Sequence, residues 1–240
     1  MSVMANDRLA ARKPTPVAHW PLPLNRQNTF DGLRLLNAMP PEAVPVSFLD
    51  PQYRGILDKM AYGNEGVNRG QLRSSLPQMD EETIAQFIRG IANALTPSGH
   101  LFLWMDKFHL CNGLQSWLEG TPLNIVDLIT WNKKRMGMGY RTRRFSEHLI
   151  VLQKNPVRAK GIWQRHDIPD VWDEAVPRVR SAVDNPTVTH RKPVGLQAAL
   201  IEAVSDPQDI VLDPAAGSYS VMAAAQTVGR QFLGCDVWSG

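Results

Sequence analysis

Val44-Pro45-Val46-Ser47-Phe48-Leu49-Asp50-Pro51-Gln52-Tyr53 decides the reading of this chain. An apolar, β-branched run of this length predicts a strand buried on both faces. Its abrupt end in an acid and a proline places a carboxylate and free backbone groups at the strand's carboxyl end. A second stretch repeats the pattern near the other terminus: Ile210-Val211-Leu212 runs into Asp213-Pro214-Ala215-Ala216-Gly217-Ser218. Ligands of open α/β sheets bind at the carboxyl edge. Two such edges, one suited to a planar amine and one glycine-bearing, predict group transfer between two bound molecules.

Helices and strands alternate around these two stretches. Leu33, Leu35 and Leu36 predict a short helix ahead of the first strand. Ile84, Phe87, Ile88, Ile91 and Leu95 follow helical spacing, stopped by Pro97-Ser98-Gly99. His100–Met105, Asn124–Trp131, Glu147–Gln153, Ile210–Leu212 and Gln231–Val237 read as further strands, with helices predicted within Asp106–Leu118 and at Pro193–Val204 and Val221–Val228. The expectation is an α/β fold with a mostly parallel, Rossmann-like sheet, helices on both faces and one antiparallel strand. Residues 1–24, with Pro14, Pro16, Pro21 and Pro23, read as an extended arm. Residues 25–240 read as a single domain, in which 54–78 form a long loop of the kind that serves as a lid.

The order of these segments resembles the β arrangement of the amino-methylating DNA methyltransferases, which act on adenine N6 or cytosine N4. That family carries an Asp-Pro-Pro-Tyr segment first and an Asp-Pro-Phe-x-Gly-Ser-Gly-Thr segment last. Here Asp50–Tyr53 and Asp213–Ser218 stand in those places. The stretch 31–40, Arg144–Lys154, His190-Arg191-Lys192-Pro193 and Gly229–Asp236 are similar to four more of its segments, so the likeness covers about residues 25–155 and 188–238. Two departures stand out. Gln52 replaces a proline, and Ala215 and Tyr219 replace a phenylalanine and a glycine.

The resemblance implies S-adenosylmethionine as cofactor and double-stranded DNA as partner. It implies a catalytic role for Asp50, Pro51, Gln52 and Tyr53, on a base flipped out of the duplex. Asp50 and the Pro51 carbonyl are acceptors that could draw an amine toward a reactive geometry, and Tyr53 could stack on the base. Asp31, Gly32, Lys192, Asp213, Pro214, Ala215, Gly217, Ser218 and Asp236 are the implied cofactor-binding residues. Taken alone, each has a plainer reading: Asp-Pro opens turns, Asp213 could cap a helix, and the other acids could be solvated. Asp rather than Ser at the head of the catalytic segment implies adenine over cytosine. Cytosine N4, RNA, or a catalytically impaired binding homologue are the alternatives. Recognition in this arrangement falls between the Glu147 strand and His190, about residues 156–187, and so small a module implies a short or relaxed target. A partner restriction enzyme and a homodimer are both compatible with the resemblance.

Charge points the same way. Residues 133–165 hold ten Lys or Arg against Glu147 alone, a local charge of +9 that leaves −6 for the rest of a chain of net +3. Lys133, Lys134, Arg135, Arg141, Arg143, Arg144, Arg158, Lys160 and Arg165 are therefore the candidate DNA contacts, interleaved with Trp131, Tyr140 and Trp163. A solvated basic face is the plainer account of such a run.

Other chemistries find no support. Cys111 and Cys235 lack metal-ligand spacing, as do the six histidines, so no metal is expected. There is no Gly-x-Gly-x-x-Gly for a nicotinamide cofactor, and Lys192 follows no phosphate loop. Glu147 and His148 read as structural. No run approaches the ~18 apolar residues of a membrane span, and the charged first twenty residues argue against a secretory signal, so a cytoplasmic protein is expected.

Overall fold

In the computed structural model, which describes residues 19–52, 79–137, 142–175 and 191–237 (Phe108 for its backbone alone), the strands join into one sheet. They are β1 (Asn28–Thr29), β2 (Val44–Leu49), β3 (Leu95–Met105), β4 (Leu123–Gly137), β5 (Arg144–Lys154), β6 (Val171–Asp173), β7 (Ile210–Asp213) and β8 (Gln231–Asp236). The spatial order is β1-β8-β7-β2-β3-β5-β4-β6, and only β5 runs against the rest. The helices are α1 (Gly32–Ala38), α2 (Glu81–Ala94), α3 (Lys107–Asn112), α4 (Gln115–Leu118), α5 (Val194–Val204) and α6 (Ser220–Thr227). The expected sheet is borne out, down to its one antiparallel strand.

Period-two alternation builds a core on each face. Leu101, Leu103, Ile150, Leu152 and Leu212 face α1, α2 and α4, while Phe102, Trp104, Leu149, Val151 and Val211 face α5 and α6. Helix α2 shows how the sequence sets one of these layers. Asp80 accepts from the Thr83 amide at 2.7 Å, Glu81 and Glu82 lie in the positive first turn, and Ile84, Phe87, Ile88 and Ile91 fill one buried face.

Several boundaries differ from expectation. Leu95 already pairs with Val44, so Thr96–Gly99 forms a bulge inside β3 instead of a stop before it. Pro45 sits opposite that irregularity, where its missing N–H interrupts no regular ladder. The helix expected within 106–118 is two helices, broken at Gly113 with φ of +90°. Strand β4 runs six residues past Trp131, through Gly137 in the basic segment, and the region beyond 156 contributes β6 beside it. Trp20, Leu22 and Leu24, within the expected arm, pack on the core. Residues 1–18, the 54–78 loop and 176–187 of the expected recognition module lie outside the described residues.

Connections leave β2 in opposite directions: through α2 to β3 on one side, while β7 and β8 arrive by α5 and α6 on the other. The gap between β2 and β7 is therefore the topological switch point, where the sheet opens a crevice at its carboxyl edge. The two strands pair in parallel with Ser47 against Leu212, and the buried Ser47 hydroxyl donates to the Leu212 carbonyl at 3.0 Å. Asp50 and Asp213 are thereby brought to one corner.

Candidate active site

On one side of the crevice, β7 ends in Asp213, which is 4% exposed. The Ala215 amide donates to its Oδ1 at 3.3 Å. Burial above all pushes this carboxyl well above its ordinary value, and the nearby Asp50 and Asp236 carboxylates push the same way against the Ala215 amide. The turn after Asp213 is shaped for close backbone approach. Gly217 has φ of +48° and open space where a Cβ would stand, and its amide donates to Asp236 Oδ2 at 2.9 Å. Ser218 is half-buried beside it.

Asp31 and Gly32 join this cluster from far away in sequence. Asp31 caps α1 by accepting from the Arg34 amide at 2.8 Å. A Cβ on Gly32 would fall 2.1 Å from the Pro214 carbonyl oxygen, so only glycine lets α1 rest against that turn. Strand β1 lies along β8, and the Phe30 amide donates to the Asp236 carbonyl at 2.9 Å. Asp31, Gly32, Asp213, Pro214, Ala215, Gly217, Ser218 and Asp236 thus surround one corner. A buried carboxyl with no countercharge among the described residues, an open glycine turn and a strand-end acid fit a ligand with an ammonium group and a diol.

Tyr219 borders this corner, its hydroxyl lying near the Asp236 and Asp213 carboxylates; burial above all, and then these acids, push its pKa up. Its backbone is left-handed at φ of +55°, and its ring turns beneath the sheet onto Phe232, with centroids 6.0 Å apart. Its hydroxyl donates to the Asn28 carbonyl at 2.8 Å, fastening the turn to β1.

Across the crevice a cavity of about 330 Å³ opens beside Asp50 and Pro51. Its wall includes Lys133, Arg144, Glu147 and Lys192. Lys192 lies here and not at Asp213: its Nζ is 3.1 Å from Asp50 Oδ2 and 2.8 Å from Glu147 Oε2. It also rests over the Trp104 ring, 4.9 Å from the centroid. Burial works against its charge, but Asp50 and Glu147 more than compensate and hold the ammonium above its ordinary range. Glu147 also gains from Lys133, whose Nζ is 3.1 Å from Oε1. Although burial opposes ionisation, the two lysines hold the Glu147 carboxyl down at about 2. His148 points to the other face, its Nδ1 3.2 Å from the Thr130 hydroxyl.

The backbone that carries Lys192 is clamped from β6. Glu174 accepts from the Gly195 and Leu196 amides at 3.1 and 3.0 Å, capping α5 from outside. Trp131 and Trp172 both donate to Glu174, each at 2.8 Å.

Among the expected catalytic residues, Asp50 and Pro51 line the cavity, and Gln52 is exposed with its carbonyl accepting from Met79 at 2.9 Å. Tyr53 lies outside the described residues. The expected basic face divides. Lys133, Lys134, Arg135, Arg143 and Arg144 sit at the carboxyl edge, on the end of β4 and the start of β5 and its approach, while Arg141 and Tyr140 lie outside the described residues. Arg158, Lys160 and Arg165 lie at the opposite edge, because β5 runs antiparallel and carries the chain beyond Lys154 to the sheet's amino end. There the Arg158 amide donates to Gln153 at 2.9 Å, and Arg165 is held by Asp167 and Glu202 at 2.7 and 2.8 Å. One continuous basic surface over 133–165 therefore does not form. Glu147, read from sequence as structural, is the cavity residue that sequence reasoning missed. Among the described residues no group of three or more His, Cys, Asp or Glu could hold a metal, and no helix is long and apolar enough to cross a membrane.

The DNA methylase family model (N6_N4_Mtase) matches residues 78–239. The chain is 49% identical over 218 residues to the Type II methyltransferase M.HhaII of Haemophilus parahaemolyticus, covering 90% of this chain and 92% of the relative. Among solved structures it is similar to M1.HpyAVI in complex with SAM, with a TM-score of 0.59, 14% identity, and coverage of 89% and 93%. It is likewise similar to the cytosine-N4-specific PvuII DNA methyltransferase, with a TM-score of 0.63, 14% identity, and coverage of 88% and 81%.

Proposed function

The chain belongs to the N6/N4 DNA methylase family and is an S-adenosylmethionine-dependent DNA methyltransferase; we propose that its acceptor is the exocyclic N6 of adenine. The adjacency of the β2 and β7 ends carries this reading, since it brings Asp50 and the Asp213 turn to one crevice. When bound, S-adenosylmethionine supplies a methyl group on a sulfonium, an intrinsically good leaving centre. The chain's own residues then have three tasks.

Asp213 would accept hydrogen bonds from the cofactor's ammonium group, which would supply the countercharge its buried carboxyl lacks among the described residues. The backbone at Gly217 and Ser218 would border the methionine part, and Asp236 would accept from the ribose hydroxyls. Asp31 and Gly32 would border the adenine end. On the acceptor side, Asp50 and the Pro51 carbonyl accept from the two N–H bonds of the target amine. That pulls the nitrogen lone pair out of conjugation with the ring and points it across the crevice. Catalysis is thus alignment and fixed electrostatics. Lys192, assigned by resemblance to the cofactor, acts through Asp50 in this geometry.

Lys134, Arg135, Arg143 and Arg144 at the carboxyl edge are the phosphate contacts we favour for the described residues, Lys133 being turned inward onto Glu147. A short or relaxed target is our reading of so small a module, of which residues 156–166 run along the far edge of the sheet. Methylation-sensitive sequencing reads the target, and a strict six-base-pair site would contradict this.

The family fold serves cytosine N4 as well as adenine N6, so the base rests on Asp50 at the head of its segment. Asp50→Ala should abolish transfer of labelled methyl to duplex DNA, by at least about 10²-fold, with little change in cofactor affinity by calorimetry. Equal loss of transfer and of cofactor binding would refute the division of labour. Preferential methylation of RNA would refute the choice of substrate.

A further inference from the structure

Alternation along the strands assembles a row of charged groups that neither the family resemblance nor the catalytic segment describes. Beyond Val46 and Phe48 on β2 comes Asp50. Beyond Val151 and Leu149, counting back along β5, comes Glu147. Beyond Ile129 and Trp131 on β4 comes Lys133. All three lie on the sheet face that packs α5, and Lys192, just ahead of α5, drops between two of them. The result is an alternating chain: Lys133 to Glu147 at 3.1 Å, Glu147 to Lys192 at 2.8 Å, Lys192 to Asp50 at 3.1 Å. Each Glu147 oxygen is engaged by a different lysine.

We propose that Glu147 is a positioning residue for methyl transfer: it holds Lys192 at Asp50, so that the Asp50 carboxylate is fixed in orientation and charge when the target amine arrives. Three observations support it. The four groups all line one cavity, the one beside the catalytic segment. Lys192 is held in place at both ends: Trp104 lies beneath its ammonium, and Glu174 fixes the α5 amides just after its backbone. With Asp50 and Glu147 still partly open to solvent, such ion pairs also contribute little to stability, so the chain has little value to the fold alone. Among the described residues, the ion pairs link Glu147 to Asp50 through Lys192, and Lys133 to Lys192 through Glu147.

This inference rests on Asp50 accepting the target amine, and its test separates the two. Single-turnover transfer of labelled methyl to duplex DNA is measured for the full-length wild type, Glu147→Gln, Lys192→Met and the double variant, with cofactor Kd by calorimetry. Glu147→Gln, which keeps the side chain's shape, should lose about 10²-fold in transfer rate while cofactor Kd moves less than about twofold. The double variant should be no slower than Lys192→Met alone, because the two act in series. Should Glu147→Gln fold poorly, Lys133→Met is measured in its place and should lose rate in the same sense. A wild-type rate in Glu147→Gln, losses that multiply in the double variant, or a cofactor Kd that weakens in step with the rate would each overturn the proposal. An active wild type with any of these outcomes overturns the positioning role alone. A wild type that methylates no DNA overturns the underlying reading as well.

Discussion

Tyr219 occupies a position where the family carries glycine, and replacing it measures what the substitution does. Three contributions act there. The left-handed backbone costs a non-glycine residue about 1–2 kcal/mol. Against that, the ring is 7% exposed and packed on Phe232, and truncating a buried aromatic typically costs about 3–5 kcal/mol. The hydroxyl's bond to Asn28 adds about 1 kcal/mol. Tyr219→Gly should therefore destabilise by roughly 2–5 kcal/mol despite relieving the backbone. Tyr219→Phe should cost about 1 kcal/mol, a fall in Tm of about 2–4 °C for a chain of this size. Thermal unfolding gives these values, and calorimetry with S-adenosylmethionine gives the functional half. Cofactor Kd should stay within about threefold in Tyr219→Phe, since the ring keeps its packing on Phe232 and only the hydroxyl's tether is lost. A Tyr219→Gly variant more stable than wild type, or one that binds cofactor about tenfold more tightly, would refute this reasoning by showing that the ring strains or blocks the site.

Asp213→Asn should abolish measurable cofactor binding, yet stabilise the cofactor-free protein at neutral pH. A buried carboxyl with a raised pKa favours the fold only while protonated, so its contribution is lost as pH rises above the ordinary Asp range toward the folded value. For the same reason wild-type cofactor affinity should fall on acidification, and binding should release protons, seen as a heat that differs between buffers of unequal ionisation enthalpy. Identical heats in both buffers would contradict a raised Asp213 pKa in the cofactor-free protein. Arg143→Ala with Arg144→Ala should lower the slope of log affinity against log salt by about 1–2, whereas Arg158→Ala with Lys160→Ala should leave it unchanged. Equal effects would mean that both edges of the sheet touch DNA.

Much of the fold was legible in the chain because the informative signals were local. Val44–Asp50 and Ile210–Asp213 declare buried strands ending in acids, and the spacing of Ile84, Phe87, Ile88 and Ile91 declares α2. What escaped depended on which face or edge a residue reaches. Glu147 sits two residues before Leu149, so its side of β5 was readable, but not that Lys192 would arrive on that side. Arg158 and Arg165 continue a basic run in sequence, and only the reversal of β5 carries them to the far edge. Likewise Leu95 joins its strand without a loop because Val44 pairs with it, a tertiary contact that overrides the Pro97-Ser98-Gly99 turn signal. Tyr219 stands in the place of a glycine, and the direction of its ring is set by Phe232 and Asn28, which no local pattern connects to it.

Nucleoside mass spectrometry of duplex DNA, incubated with the protein and methyl-labelled S-adenosylmethionine, tests the assignment of site and base most directly. The crevice between Asp50 and Asp213 predicts label in N6-methyladenine, absent with Asp50→Ala. Label in N4-methylcytosine would contradict the assignment of the base, and DNA left unlabelled by the wild type would contradict the assignment of the site.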